Sequence, residues 1–295
     1  MRIISILGPT GSGKSALALK IAEKIPSEIV SCDSVQIYRG FNIGADKVSR
    51  EVRKKTPHHM VDIIGDCRRF SAAEYSKEAA RIIREIWERG KYPLVVGGTL
   101  LYFRALEKGL FPFGSAGEKF RKKWRKHPEE LRRRSLELDP LYYSRIGAND
   151  IKRMLRLMEV YFISGRNMTE AAALTAPPLP EARFLKFAIN LPRQELYRRI
   201  EERVERMFRQ GLVEEVRALL AMGYPEDCPP FGAIGYREVL SFVKGEIGLQ
   251  QAKDLVKKHT KEYARRQLMW LRKEENLIRV SPDEVDKILE TVERT

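Results

Sequence analysis

The sequence predicts an α/β fold, a P-loop core with a parallel sheet and flanking helices, plus an inserted all-helical domain. Three observations lead there. Strand and helix signals alternate through the first third of the chain. A glycine-rich phosphate-binding motif occupies the first strand-to-helix turn. Strand signals then vanish between residues 118 and 175 before one returns near Phe184.

The elements follow in order. Arg2 to Leu7 reads as a short buried strand, followed by a glycine turn and a helix from about Lys14 to Lys24. Glu28 to Cys32 is a second strand. From Ala72 to Arg89, Ala73, Ala80, Ile83 and Trp87 recur at helical spacing. Tyr92 to Val96 forms a third strand, ending at Gly97-Gly98. This β-α-β-α-β rhythm requires parallel strands joined by crossover helices. After Pro112 the texture changes to helices, beginning with the basic run Lys119 to Lys126. The proline cluster Ala176-Pro-Pro-Leu-Pro180 closes that stretch. Strand-like Phe184 to Leu191 returns, and long helices from Arg193 complete the chain. Residues 1–114 and 184–295 are thus expected to form the catalytic core, with 115–183 as the helical insertion.

Composition narrows the class. Of the 295 residues, 43% are hydrophobic and 32% charged, enough for a core and a well-solvated surface. No apolar run approaches the about 20 residues of a membrane span. The N-terminus enters a strand directly and lacks a signal-peptide pattern, so no membrane role and a cytoplasmic location are expected. Cys32, Cys67 and Cys228 are far apart and odd in number. They are expected as free thiols in a reducing compartment, not as a disulfide framework or a thiolate zinc site. Lysine and arginine total 55 against 40 acids, a net charge of +15, which favours a polyanionic partner such as nucleic acid. Residues 115 to 160 alone hold 13 basic and 7 acidic residues, a surplus of +6.

The chemistry begins at Gly8-Pro9-Thr10-Gly11-Ser12-Gly13-Lys14-Ser15, a full G-x-x-x-x-G-K-[ST] match between strand and helix. Glycines let backbone N–H groups converge on phosphate oxygens at the helix start. Lys14 adds a point charge, and Ser15 offers a hydroxyl to Mg²⁺. The motif specifies a diphosphate or triphosphate, not its hydrolysis. Phosphoryl-transfer relatives usually hold Mg²⁺ with an acid at the end of a later strand, whereas this third strand ends in Gly97-Gly98-Thr99.

Other residues admit two readings each. Asp33 ends the second strand, where it can face the P-loop as a general base or serve as a turn carboxylate. Arg203 shares a helix face with Leu196, Ile200 and Met207, so it must snorkel or meet an anion. Lys152, Arg153 and Arg156 form a basic ridge, either nucleic-acid-binding or simply solvated. The cations between Lys257 and Lys273 carry the same ambiguity. His58-His59 lacks metal-ligand companions and is expected to be structural.

The ordered set of motifs resembles the tRNA dimethylallyltransferase family, also called tRNA isopentenyltransferase. It comprises the P-loop, Asp33-Ser-Val-Gln-Ile-Tyr38, Ile43-Gly44, His58-His59 with Asp62, and Val96-Gly-Gly-Thr99 with Tyr102. It continues through Asn149-Asp150, Arg153, Arg156, Glu159, Gly211-Leu212, Glu215, Gly235-Tyr236, and Arg266-Gln267 with Trp270. Departures from the family pattern stand at Leu100, Ala45-Asp46, Met269 and Lys152. The resemblance implies transfer of a dimethylallyl group from its diphosphate to N6 of the adenosine 3′ of the tRNA anticodon. It implies Mg²⁺, a monomer, and an anticodon stem-loop whose adenine is extruded into a channel between core and insertion. The implied catalytic residues are Asp33, Thr10, Lys14, Thr99 and Arg203. Those implied to face tRNA are Asp33, Ser34, Val35, Gln36, Thr99, Arg121, Lys152, Arg153, Met154, Leu155 and Arg156. An adenylate isopentenyltransferase, a P-loop kinase and a noncatalytic GTPase-like module are the rivals. The insertion and basic charge weigh against the first, and the absent strand-end acid against the second. The third lacks an Asn-Lys-x-Asp base-selective motif.

Overall fold

The structure, a computed structural model, describes residues 1–294. Six strands build one sheet: β1 (Arg2–Leu7), β2 (Ser27–Cys32), β3 (His58–His59), β4 (Tyr92–Gly97), β5 (Arg183–Ile189) and β6 (Leu277–Val280). Their order is β3-β2-β4-β1-β5-β6, and every neighbouring pair is parallel. Five of the six β1 residues are buried, and all six in β2, as expected of strands covered on both faces. The register aligns Leu7 and Cys32 with Gly97, so the loops after β1, β2 and β4 leave the sheet at one level. That level forms the ligand crevice of an open α/β sheet.

The helices beside the crevice start where local chemistry permits. Lys14–Ala22 begins after Gly13, whose φ of 94° is accessible to glycine at no steric cost. Ala72–Glu88 opens with a capping box between Ser71 and Glu74 and turns seven buried residues inward. Leu17, Ala18 and Ile21 pack with Ile4, Ile6 and Phe187 into the main core.

The chain divides into two compact units. The first comprises Met1–Glu107 with the chain from Glu181 onward, and the second is Lys108–Pro180. The second is entirely helical, its longest helices being Pro128–Leu138 and Ile151–Ser164. Its core is Leu131, Met154, Leu157, Met158 and Val160, edged by Phe120 and Trp124.

Three sequence expectations are corrected. The two residues of β3 are too few to show periodicity. After the helix Leu249–Leu271, the chain adds the edge strand β6 and the helix Val285–Glu293 instead of remaining helical. Most consequentially, Cys67 and Cys228 are joined by a disulfide, leaving only Cys32 free. Their separation of 161 residues hid the pairing; packing brings the loop after β3 against the 3-10 turn Pro229–Gly232. His59 is structural: its Nε2 lies 2.6 Å from Glu28, which Arg89 and Lys91 also engage. Burial would raise the Glu28 carboxyl, but those hydrogen bonds hold it down at about 2.

Closing so long a loop restricts the unfolded chain, so reduction of the disulfide should lower stability by about 2–4 kcal/mol. Thermal melts of the wild type and Cys67→Ser/Cys228→Ser, with and without reductant, check this. The wild type should shift downward with reductant and the double variant should not. A reductant-insensitive wild type would mean the two thiols are unbonded.

Candidate active site

A cleft of about 330 Å³ opens where β1, β2 and β4 end. Thr10, Lys14 and Ser15 line it from the P-loop, Asp33 from the end of β2, and Gly98 and Thr99 from the end of β4. The helices Arg193–Arg209 and Leu249–Leu271 close it with Arg203, Tyr263 and Gln267. All five residues expected to be catalytic therefore share one cleft.

Close approach dictates the glycines. A Cβ on Gly97 would lie 2.1 Å from the Cys32 carbonyl oxygen, and one on Gly98 would lie 2.3 Å from Gln267 Nε2. Bare backbone at this position lets the buried Gln267 amide bridge two loops. Its Nε2 donates to Gly98 O (2.8 Å), and its Oε1 accepts from Thr10 N (2.9 Å). In the sequence Gln267 stands only as one of the family markers, and its bridging role shows in the fold alone. Its polar side chain on the otherwise apolar face of Ala252, Val256, Ala264 and Leu271 was the available signal.

The cations converge at the cradle. Lys14 Nζ donates to Pro9 O at 2.7 Å. Desolvation, and next the Arg203 guanidinium, lower the Lys14 pKa to about 8, although Asp33 and Asp46 oppose the shift. Arg203 donates to the Thr10 hydroxyl and meets Asp46 at 3.2 Å, which selects anion contact over snorkelling for this arginine. Asp46, one of the departures noted above, thereby offsets charge that a bound diphosphate would otherwise find free.

Asp33 both ties its turn and lines the cleft. Its Oδ1 accepts from Val35 N (2.8 Å) and Gln36 N (3.2 Å), which ties down the turn. The fixed carboxylate still lines the cleft. Thr99 Oγ1 accepts from Ser34 N at 3.2 Å, joining the β2 and β4 loops. Tyr263 interacts with the Thr99 side chain; burial first, then the Asp33 charge, push its phenol up to about 12. Cys32 stands next to Asp33 but is buried, and burial pushes its thiol up to about 12, so it is no nucleophile.

The second unit sorts its expected tRNA contacts differently. Met154 and Leu155 are buried in its core and are unavailable to a partner. Arg121 grips the fully buried Glu159 through Nε and Nη2 at 2.8 and 2.9 Å. Arg156 reaches the same carboxylate at 3.4 Å and also donates to the Phe113 and Gly114 carbonyls. Both arginines thus hold the unit together. Lys152 and Arg153 are exposed, with Arg153 paired only to Asp150 at 3.1 Å.

The fold and its phosphate cradle define a P-loop protein of the α/β class. The IPP transferase family pattern matches residues 36–274, and the isopentenyl transferase pattern matches residues 1–63. The tRNA dimethylallyltransferase of Geobacter metallireducens is 43% identical over 99% of this chain and 96% of its own. The crystal structure of the tRNA isopentenylpyrophosphate transferase from Staphylococcus epidermidis superposes with a TM-score of 0.73 at 32% identity, covering 100% and 99% of the two chains. Its counterpart from Bacillus halodurans gives 0.72 at 31%, covering 99% and 95%. The chain belongs to the IPP transferase family, that of the tRNA dimethylallyltransferases. No described helix is long and apolar enough to cross a membrane.

The depressed Lys14 pKa sets a pH dependence. Below about pH 8 the free protein already carries the ammonium. Above it, binding an anion must take up a proton, so affinity should fall by up to about tenfold per pH unit. Calorimetry of dimethylallyl diphosphate binding between pH 7 and 10 should show this weakening, with proton uptake above pH 8. Lys14→Met should bind weakly with a flatter profile. A flat wild-type profile to pH 10 would contradict the assignment.

Proposed function

We propose that this chain transfers a dimethylallyl group from dimethylallyl diphosphate to N6 of the adenosine 3′ of the tRNA anticodon, releasing diphosphate. One observation carries the reading. A complete phosphate cradle faces a fixed carboxylate, Asp33, while β4 ends in glycine where a phosphoryl-transfer enzyme would place its acid.

The chemistry follows from these positions. The P-loop N–H groups, Lys14 and Arg203 hold the diphosphate, and Thr10 orients Arg203 toward it. As the allylic C1–O bond breaks, the diphosphate leaves with the electron pair. Each preorganised cation at that oxygen is typically worth a few kcal/mol of barrier. The N6 lone pair forms the C1–N bond, and the displaced N6 proton passes to Asp33. Thr99, tied to the Asp33 loop through Ser34 N, positions the amine.

The donors present fit a Mg²⁺ ion held mainly by substrate oxygens. Ser15 offers one hydroxyl, and no group of three or more His, Cys, Asp or Glu comes together among the described residues. Bound there, the ion would neutralise charge on the departing diphosphate.

The polyanionic partner is tRNA, whose target adenine must leave the stack to reach a recessed carboxylate. Lys152 and Arg153 supply phosphate contacts from the second unit. Arg121 and Arg156 support their helix through Glu159.

Radiolabelled dimethylallyl diphosphate incubated with bulk tRNA, with AMP and alone tests the assignment. Label should enter tRNA only, with one pyrophosphate released per modified adenosine and no ATP consumed. Coupled formation of ADP would revive the kinase reading. Asp33→Ala should lose about 10²-fold or more in turnover with tRNA affinity nearly intact; near-normal turnover would remove the base role.

The exposed pair is tested separately. Lys152→Ala/Arg153→Ala should weaken tRNA binding and reduce its salt slope by about 0.7–0.9 per lost contact. Donor affinity should stay constant. An unchanged slope in a salt titration would make the pair a solvated helix face.

A further inference from the structure

A P-loop accepts a diphosphate or a triphosphate, so a second feature is needed to tell them apart. Among the described residues lining the cleft, Lys14 and Arg203 are the cations, and Asp33 and Asp46 the carboxylates. A protein with a net charge of +15 thus lines its phosphate cleft with no net side-chain charge. Asp33 is committed to its turn. Asp46 is set against the cations: its Oδ2 lies 3.2 Å from Arg203 Nε and its Oδ1 3.5 Å from Arg206 Nη2. Its charge also favours the Lys14 ammonium. Asp46 belongs to one of the departures from the family pattern, so the feature is this chain's own.

The loop that carries Asp46 is held from two sides. The Glu215 carboxylate accepts from Asn42 N at 3.0 Å, Ile43 N at 2.8 Å, Gly44 N at 3.3 Å and the Tyr236 hydroxyl at 2.7 Å. On the other side, Lys47 Nζ donates to Tyr38 O and to Asp62, each at 2.6 Å. Gln36 Nε2 adds a hydrogen bond to Ala45 O at 3.1 Å. Asp46 itself has a φ of 50°, in the left-handed region that aspartate tolerates better than most side chains. A loop fixed in this way holds the carboxylate beside Arg203.

We propose that Asp46 selects a diphosphate over a triphosphate, by holding the places on Arg203 and Arg206 that a third phosphate group would take. The proposal rests on the donor reading above. A guanidinium has five N–H donors. Arg203 gives one at Nη1 to the Thr10 hydroxyl and its Nε to Asp46, and the donors that remain serve the diphosphate. A third phosphate adds negative charge beside Asp46, and like charges at close range repel. The Asp46 side chain is 41% exposed, and an ion pair this exposed is weak. It therefore penalises an added charge without shutting the cleft to a diphosphate held by backbone N–H groups and Lys14.

ADP and ATP differ by that one phosphate, so their affinities isolate its effect. Calorimetry at one fixed Mg²⁺ concentration measures both for wild type, Asp46→Asn and Arg206→Gln, with thermal melts to identify folded variants. Asparagine removes the charge, keeps the size and tolerates the left-handed backbone. Wild type should bind ATP no tighter than ADP. In Asp46→Asn the ATP-to-ADP affinity ratio should rise by about tenfold or more, the scale of one like charge removed from a phosphate contact. ATP should then compete better with dimethylallyl diphosphate. Arg206→Gln leaves Asp46 one cation fewer and should lower the ratio, which keeps the test decisive even if the first variant is unfolded. An unchanged ratio in folded Asp46→Asn, a raised or unchanged one in Arg206→Gln, or equal tightening of ADP and ATP would overturn the proposal. So would an absence of measurable ATP binding in all three proteins. A wild type that transfers no dimethylallyl group to tRNA, in a series that still shows these shifts, would overturn the donor reading alone.

Discussion

The site depends on one buried amide. Gln267 spans the gap between the P-loop and the end of β4, satisfying Thr10 N and Gly98 O with a single side chain. Losing a buried hydrogen-bond partner costs about 1–3 kcal/mol for each group left unsatisfied. The bridge therefore penalises any drift of the long C-terminal helix from the sheet. It works only because Gly97 and Gly98 carry no side chain. A Cβ at either would occupy space already held by Cys32 O or by the amide. The same helix then brings Tyr263 to Thr99 and Val256 into the cleft wall, so one contact helps set the register of that wall.

Within that frame, electrostatics prepare the cleft for an anion. Burial disfavours the Lys14 charge, and the nearby Arg203 guanidinium adds to this. Such an arrangement favours an anion, and fixed cations of this kind stabilise negative charge without reorganisation. Asp46 softens the cost by engaging Arg203 and Arg206 at 3.2 and 3.5 Å. Asp33 acts on this cluster through its charge, which favours the Lys14 ammonium. Its carboxylate is oriented by the Val35 and Gln36 N–H groups and not by a cation.

The second unit shows how a basic surface divides between buried pairing and solvent. Glu159, fully buried, draws Arg121 and Arg156 inward, and their hydrogen bonds in turn hold its carboxyl below the usual range despite the opposing effect of burial. A buried carboxylate without them would be strongly destabilising. The neighbouring Lys152 and Arg153, one or more positions round the same helix, remain in solvent. Packing against Glu159 decides which cation is which.

By itself the sequence determined the alternating strands and helices of the first third, the phosphate cradle, and the helical texture between residues 118 and 175. These are local: periodicity and a contiguous motif express themselves over a few residues. Asp33 and Arg203 were also legible, because a strand end and a helix stripe predict where a side chain points. Tertiary structure decided the rest. The Gln267 bridge, the Arg203–Asp46 pair and the Cys67–Cys228 bond each join residues more than 150 positions apart, and no local pattern encodes such a meeting. The fate of Arg121 and Arg156 was likewise open until Glu159 proved to be buried. A charge reads the same in sequence whether it faces solvent or a carboxylate, and only packing distinguishes the two.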